Sequence, residues 1–330
     1  MTHFKAFQVT KQDDGTLHRG IVDVPLASLP DHPVLIDVQY SSLNYKDALS
    51  ATGNPGVTRV FPHVPGIDAA GIVLESEDPS LAAGTPVLAQ GFDLGMNTWG
   101  GFGTRIRVPV EWTLPLPRGM TLVDAMVLGT AGFTAALCVD KLEAVGMSPD
   151  GGPVVVTGAT GGVGSVGVML LAQLGYEVVA VSGKPERSDW LKSLGASRIM
   201  SREEALEGKD RMLGKPTWGG VIDTVGGEML WNLLKSLEHG KSLAACGLVG
   251  GAEIPATVFP FLLRHVNLLG IDSVNLPRDE KCRIWAKLAD EWKLDGLHAL
   301  ATEINLESLS NAIDEILAGK MVGRAVVHHG

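Results

Sequence analysis

Residues 154–181, VVVTGATGGVGSVGVMLLAQLGYEVVAV, constrain this chain more than any other stretch. Val154 to Thr157 is a β-branched run of the kind a fully buried parallel strand shows, and Gly158, Gly161, Gly162 and Gly164 follow at once. From Val163 to Leu174 the apolar pattern suits a helix lying on a sheet. Gly175 stands where a left-handed cap would end that helix, and Glu177 to Val181 restarts a strand. The order describes a right-handed β-turn-α-β crossover. Pro153 to Tyr176 carries no charge and is long enough to cross ~30 Å of hydrocarbon. Six glycines in that stretch, two of them adjacent, argue against a membrane span.

A pyrophosphate can reach the free N–H groups at a helix start only where no Cβ stands between backbone and ligand. Gly161, Gly162 and Gly164 leave that space, and residues 159–164 read A-x-G-x-x-G, with Ala159 at the usual first glycine. The alternative is a glycine-rich face for helix packing. A site for the 2′-hydroxyl form of the cofactor usually ends its second strand with Asp or Glu, about 20 residues past the glycines. Here that place reads Ser182-Gly183-Lys184, with Arg187 one turn later. A hydroxyl and two cations suit a 2′-phosphate and therefore NADPH. A plain exposed helix start, with Pro185 at its first position, is the other reading.

With 330 residues the expectation is two domains, and 45% hydrophobic with 19% charged residues is ordinary for a globular chain with a sizeable core. A net charge of −10 argues against nucleic acid or an anionic membrane as partner, since both need a basic face. Cys138, Cys246 and Cys282 are odd in number and widely spaced, fitting neither a disulfide framework nor a structural zinc site. A reducing, cytoplasmic setting follows. The first fifteen residues include Lys5 and Asp13 and show no apolar signal core.

The first 115 residues read as short strands separated by Gly, Pro and Asp. Val34, Ile36, Val38 and Tyr40 alternate with Leu35, Asp37, Gln39 and Ser41, as in a strand with one face more buried than the other. That strand delivers Asn44-Tyr45-Lys46-Asp47, a polar cluster that either caps a helix or carries chemistry. The loop from Gly91 to Gly103 is a mobile lid, a substrate wall or a plain surface loop. From Thr121 the character turns α/β: a helix through Ala125 to Leu142, the crossover, a helix from Trp190 to Leu194, and a strand from Gly219 to Asp223. A helix from Glu228 to Leu237 and strands at Ser242 to Cys246 and Leu268 to Asp272 follow. This alternation means a parallel sheet wound on both sides, with ligands at its C-terminal strand ends. Val225-Gly226-Gly227 and Gly247-Leu248-Val249 fall there. The helix from Lys281 to Trp292 and the strand-like Gly323 to Val327 return to the first domain.

These residues together resemble the medium-chain dehydrogenase/reductases that lack zinc, and within them the quinone oxidoreductase-like family that includes acrylyl-CoA reductase (NADPH). The resemblance covers essentially the whole chain. It is carried by N-Y-K-D at Asn44 to Asp47, V-P-G-I-D at Val64 to Asp68 and G-T-A-G-F-T-A at Gly129 to Ala135. G-A-T-G-G-V-G-S-V-G at Gly158 to Gly167, L-L-G-I-D-S-V at Leu268 to Val274 and G-R-x-V-V at Gly323 to Val327 complete it.

It implies an α/β fold in two domains. One is a co-chaperonin-like (GroES-like) β-barrel catalytic domain from residues 1–123 with 273–330, and the other a Rossmann doubly wound parallel sheet domain, residues 124–272. The family usually forms dimers. The resemblance implies NADPH contacts from Asn44, Thr130, Thr134, Thr160, Gly161, Gly162, Val163, Ser182, Gly183, Lys184, Arg187, Cys246, Gly247, Leu248 and Arg324.

Where zinc-dependent relatives have a cysteine ligand, this chain has Asn44 to Asp47. Where they have Gly-His-Glu it has Gly66-Ile67-Asp68, and no metal is expected. The chemistry left is hydride addition to a double bond conjugated to a carbonyl. Tyr45 would donate a proton or hydrogen bond, Asn44 and Asp47 would orient substrate or nicotinamide ribose, and Lys46 would add positive potential. The expected substrate is a small acyl-CoA, with Arg324, Arg59 and Arg107 as candidates for a coenzyme A phosphate. A quinone reductase would share every motif, and a non-catalytic NADPH-binding role is the third reading.

Overall fold

The computed structural model describes residues 2–330. They divide into two units, one made of the residues up to Thr130 together with Val274–Gly330, the other of Ala131–Ser273.

The discontinuous unit begins with a hairpin of β1 (His3–Lys11) and β2 (Leu17–Pro25). Its main sheet starts with β3 (Val34–Leu43), which delivers helix α1 (Tyr45–Ala51). β4 (Asp68–Ser76), β5 (Pro86–Gln90), β6 (Arg105–Val108) and β7 (Thr113–Pro115) follow. β3 pairs antiparallel with β4 across two register shifts, between Leu35 and Ile36 and between Val38 and Tyr40, which sharpen its twist. As the alternation in β3 leads one to expect, one face is the more buried: Val34, Ile36 and Val38 are buried where Asp37 and Gln39 are half-buried, although Leu35 on the second face is buried too. Val34, Ile36 and Val38 enter one core with Val73, Val87 and Ile106, while Leu35 and Leu43 enter another with Phe7, Phe102 and Ile313.

The 91–103 segment is not a loose lid. Gly100, Gly101 and Phe102 donate their N–H groups to Val64, Gly66 and Pro65 carbonyls at 2.7, 2.8 and 3.0 Å. Gly66 has φ 111°, and a Cβ there would stand 2.7 Å from the Gly101 and Phe102 nitrogens. Close backbone-to-backbone approach is what these glycines allow.

Helix α2 (Leu122–Ala144) carries the chain from one unit into the other. Thr121 and Asp124 cap its start reciprocally, N–H to carboxylate at 3.0 Å and N–H to hydroxyl at 3.1 Å. It is long and apolar enough to cross a membrane, yet 78% of its apolar window is buried, as in a core helix. It breaks at Gly129, φ 50° and ψ −158°, a conformation open to glycine alone.

The continuous unit is the crossover and its repeats. β8 (Val154–Val156), α3 (Gly162–Gln173) and β9 (Val178–Val181) form the first crossover. α4 (Ser188–Ser193), β10 (Arg198–Met200), α5 (Arg202–Ala205), β11 (Gly220–Asp223) and α6 (Gly227–Leu234) continue the alternation. β12 (Ser242–Ala245), α7 (Phe259–Arg264) and β13 (Asn267–Gly270) complete it. All pairings are parallel, in the order β10-β9-β8-β11-β12-β13, the doubly wound arrangement expected. α6 stops three residues before the expected Leu237. There Lys235 turns its Nζ to the Lys209 and Arg211 carbonyls at 2.6 and 2.8 Å, and Leu237 bridges to Trp218.

The chain then returns through α8 (Arg278–Ala289), β14 (Ala301–Ile304), α9 (Leu309–Leu317) and β15 (Arg324–His328). β15 lies parallel to β14 and antiparallel to β3, Ala325 facing Leu43.

Candidate active site

Asn44 precedes the first turn of α1, and the Asp47 carboxylate folds back onto it, Oδ2 accepting the Asn44 N–H at 2.7 Å and its side-chain amide at 3.2 Å. Asp47 Oδ1 accepts the Ile67 N–H at 2.8 Å. Asp47 has no exposed surface, so it holds Asn44 and the 64–68 turn and does not itself meet a substrate. Burial, and after it the Asp68 charge, pushes the Asp47 carboxyl up to about 7.

Asp68 is the centre of the arrangement. Its Oδ2 accepts Ser42 Oγ at 2.6 Å, Asn44 Nδ2 at 2.7 Å and the Thr130 N–H at 2.8 Å, and its Oδ1 accepts Thr130 Oγ1 at 2.7 Å. The Gly129 break makes this possible, because a Cβ there would lie 2.4 to 2.7 Å from Ser42 Oγ, Asp68 Oδ2 and Arg324 Nη2. Arg324 closes the network from β15. Its Nε donates to the Val127 carbonyl at 2.9 Å and its Nη1 to Asn44 Oδ1 at 3.2 Å, while Nη2 finds no hydrogen-bond partner among the described residues. Burial drives the guanidinium pKa down from its ordinary value, and the Asp68 and Asp47 charges oppose that shift.

Two expectations for coenzyme A phosphate binding are corrected here. Arg324 is 3% exposed and engaged in the network, and Arg107 is taken by Glu75 at 2.9 Å and the His32 carbonyl. Arg59 is exposed, with only its Nε committed, to the Pro55 carbonyl. Tyr45 is 42% exposed, and its hydroxyl has no partner among the described residues; Lys46 is half-buried. Sequence reasoning singled out Asn44, Asp47, Thr130 and Arg324 but gave no role to Ser42, missed Gln90, and treated Asp68 only as part of a motif. A carboxylate ending a short turn before a strand was the available signal.

In the continuous unit the glycines divide their work. A Cβ at Gly164 would stand 2.3 Å from the Gly158 carbonyl oxygen and 2.7 Å from Ala159 Cα, so this glycine seats helix on turn. At Gly161 the nearest atom would be 3.3 Å away, leaving the start of α3 open to an outside group. The first-turn N–H groups of Gly162, Val163 and Gly164 have no intrahelical acceptors. Thr160 is buried just before them. The strand ends beside this turn meet backbone to backbone, since a Cβ at Gly247 would fall 2.0 Å from the Thr224 carbonyl oxygen. Asp223 holds them, accepting Thr157 Oγ1 at 2.8 Å and the Gly226 N–H at 2.7 Å, with burial raising its pKa. Cys246 Sγ donates to the Asp223 carbonyl at 3.3 Å, and Leu248 is exposed. Thr134 is buried on α2.

At the end of β9, Ser182 Oγ accepts the Lys184 N–H at 3.0 Å, and Arg187 is exposed. Burial lowers the Lys184 ammonium pKa; Glu186 opposes this, and Arg187 and Arg202 add to it. The arrangement leaves cationic groups around a serine and a glycine, with no carboxylate at the strand end.

Comparison with known proteins agrees with this reading of the two units. Residues 30–118 match the alcohol dehydrogenase GroES-like domain, and residues 162–290 match a family described as zinc-binding dehydrogenase. Acrylyl-CoA reductase AcuI of Ruegeria pomeroyi is 46% identical over 325 residues, 98% of each chain. YhfP of Bacillus subtilis, provisionally named a quinone oxidoreductase, is 45% identical over 328 residues, 99% of each. Its structure with NAD bound superposes with a TM-score of 0.97 over 99% of this chain and 100% of that one. The YhdH oxidoreductase of Salmonella enterica in complex with NADP gives 0.95 at 46% identity, again 99% and 100%.

A GroES-like unit and a Rossmann unit on one chain define a medium-chain dehydrogenase/reductase. Within that class the chain belongs to the quinone oxidoreductase-like family, alongside the AcuI and YhfP proteins.

One family description mentions zinc, and the residues here do not fit that ion. At the relevant turn stand Asn44, Ile67 and Asp68, an amide already bonded at both ends, an aliphatic side chain, and a carboxylate holding four donated hydrogen bonds. Among the described residues no three His, Cys, Asp or Glu side chains gather as a ligand set.

Proposed function

We propose that the protein reduces the carbon–carbon double bond of acrylyl-CoA to give propionyl-CoA, with NADPH as reductant and without zinc. The carrying observation is the near full-length 46% identity to a protein named acrylyl-CoA reductase. The open turn at Gly161 and the cations at Lys184 and Arg187 support NADPH as cofactor, as do the NADP in the Salmonella relative and the site chemistry at Ser182. Bound there, NADPH supplies a hydride. Thr160, Gly161, Gly162 and Val163 would hold its pyrophosphate and Ser182, Lys184 and Arg187 its 2′-phosphate, with Cys246, Gly247 and Leu248 lining the same strand ends.

Hydride adds at the β-carbon because charge then delocalises onto the thioester oxygen, and the α-carbon takes a proton from the medium or from Tyr45. Tyr45 has the exposed hydroxyl this requires. Asn44 is held by Asp47, Asp68 and Arg324, which gives it one fixed orientation. The long coenzyme portion supplies remote binding energy that positions a small acyl group. Comparing kcat/KM for acrylyl-CoA, crotonyl-CoA, free acrylate and a simple quinone tests the reading. Acrylyl-CoA should lead, and a quinone leading by about tenfold or more reverses the assignment to a quinone oxidoreductase, the second reading supported by the name of YhfP.

The chain also forms a homodimer in this reading, in the cytoplasm, where its three free thiols stay reduced. β13 ends the six-stranded sheet, and Leu248, Leu262, Leu263 and Leu268 stand exposed on and near it. An apolar sheet edge of this kind calls for a partner edge. Sedimentation should find a dimer, and a monomer for Leu268→Lys.

A further inference from the structure

Two of the three free cysteines meet at the C-terminal ends of the Rossmann strands. Beyond the Gly129 break α2 runs on against that sheet, and Lys141 donates its Nζ to the Gly270 carbonyl at 2.8 Å. Gly270 ends β13 and pairs in register with Ala245 of β12, so the next residue, Cys246, lies beside the same helix. Cys138 stands one turn before Lys141, on the same face of α2. Its thiol is hydrogen-bonded to the Cys246 thiol. That bond, then burial, then the charges of Cys246 and Asp223 hold the Cys138 pKa well above the ordinary thiol range. Cys246 Sγ in turn donates to the Asp223 carbonyl at 3.3 Å. Cys138 exposes no surface, whereas Cys246 is half-buried, and Cys282 sits on α8 in the other unit.

Two thiols in contact, one shut away from solvent and one open at its edge, place a resolving thiol behind a peroxide-accessible one. We propose that Cys138 and Cys246 are a redox-sensitive pair, which hydrogen peroxide closes to a disulfide that loosens the cofactor. Cys246 reacts first. Its sulfur bonds one peroxide oxygen, the O–O bond breaks, and the other oxygen leaves as water with the thiol proton. The Cys138 sulfur then displaces the hydroxyl of that sulfenic acid, the S–O bond breaks, and a second water carries off the Cys138 proton. Two thiols have passed two electrons to one peroxide. A reducing setting keeps the pair open, and an added dithiol reopens it. Covalent closure draws Cys246 Sγ off the Asp223 carbonyl and toward α2. Gly247 follows in the chain with no slack, since even a Cβ there would fall 2.0 Å from the Thr224 carbonyl oxygen, so the 247–248 strand end shifts with it. The effect on the cofactor rests on the NADPH reading above, whereas formation of the bond does not.

The test treats the full-length protein with hydrogen peroxide, alkylates the remaining thiols and maps the peptides by mass spectrometry. Free thiols should fall from three to one, with Cys138 and Cys246 linked and Cys282 alkylated. NADPH affinity by fluorescence titration should fall about tenfold and return after dithiothreitol. Cys138→Ala should bind NADPH as the unmutated protein does before treatment. Under peroxide it should form no link and stop at a Cys246 sulfenic acid that dimedone traps. Three free thiols after treatment, or a link through Cys282, overturn the pair. A mapped Cys138–Cys246 bond with unchanged NADPH affinity overturns its effect on the cofactor. Untreated protein that binds no NADPH overturns the cofactor reading and leaves the mapped bond standing.

Discussion

Gln90 donates its side-chain amide to Thr130 Oγ1 at 3.2 Å, and the direction of that bond is imposed from Trp285. The indole N–H can only donate, so Gln90 must turn its oxygen to Trp285, 3.3 Å away, and its nitrogen to Thr130. Thr130 then passes its own hydroxyl hydrogen to Asp68 Oδ1. A one-way chain of donors runs from α8 to the carboxylate that orients Asn44. Gln90→Leu removes two of its bonds in a buried place and should cost about 1–3 kcal/mol in urea unfolding. An unchanged midpoint means that the chain contributes nothing to stability.

Tyr45 stands at the surface end of the same cluster. Its replacement by Phe should leave folding stability within ~0.5 kcal/mol, because its hydroxyl has no partner among the described residues to lose. The turnover number should fall on the order of 10²-fold, the usual loss for a useful acid. Steady-state kinetics showing a change of less than about threefold would remove Tyr45 from the chemistry.

Asp47 makes stability depend on pH. Its carboxyl rises from 3.8 to about 7 on folding, so the folded state binds the proton more tightly than the unfolded state. That contribution is complete below pH 3.8 and is lost as pH climbs through 7. The unmutated protein should therefore lose stability relative to Asp47→Asn between about pH 4 and 8, whatever the offset between them. Denaturant titrations at both ends of that range give the slope, and a difference independent of pH refutes the assignment.

The glycine turn predicts a contrast between neighbours. Gly164→Ala forces a Cβ to 2.3 Å from a backbone oxygen and should lower the melting temperature sharply. Gly161→Ala brings its methyl only to 3.3 Å from the Gly158 carbonyl oxygen, a contact relieved by a shift of a few tenths of an ångström. It should lower the melting temperature far less than Gly164→Ala while binding NADPH at least about tenfold less well, because the methyl enters the space a pyrophosphate would use. Thermal melts beside cofactor titrations separate the two, and equal melting temperatures would contradict the division of work.

What the sequence made legible was local. The crossover could be read because strand, glycine turn and helix lie within 28 residues and each announces itself by residue type. The N-Y-K-D cluster could be read as a helix start because Asp47 reaches back only three residues to Asn44. The Gly129 break could not, since an apolar run with one glycine looks like an uninterrupted helix until Asp68 and Arg324 claim the space beside it. Trp285 and Gln90 are 195 residues apart, and Cys138 meets Cys246 only because α2 lies against the ends of β12 and β13. Arg324 was found by its motif but given the wrong surroundings, because sequence does not say that an arginine is buried.

The position of β15 has a consequence for how the chain is assembled. Ala131–Ser273 is continuous, and its sheet can be completed from its own residues as soon as they exist. The other unit can seat Arg324 against Leu43 only by closing 281 residues of chain, with the whole Rossmann unit inside the loop. Until residues 324–328 arrive, β3 lacks its neighbour on that side and Asn44 lacks the guanidinium that holds its oxygen. During synthesis the nucleotide-binding half is thus able to form first, and the last strand to be made completes the other half's sheet and locks its Asn44–Asp68 corner in one step.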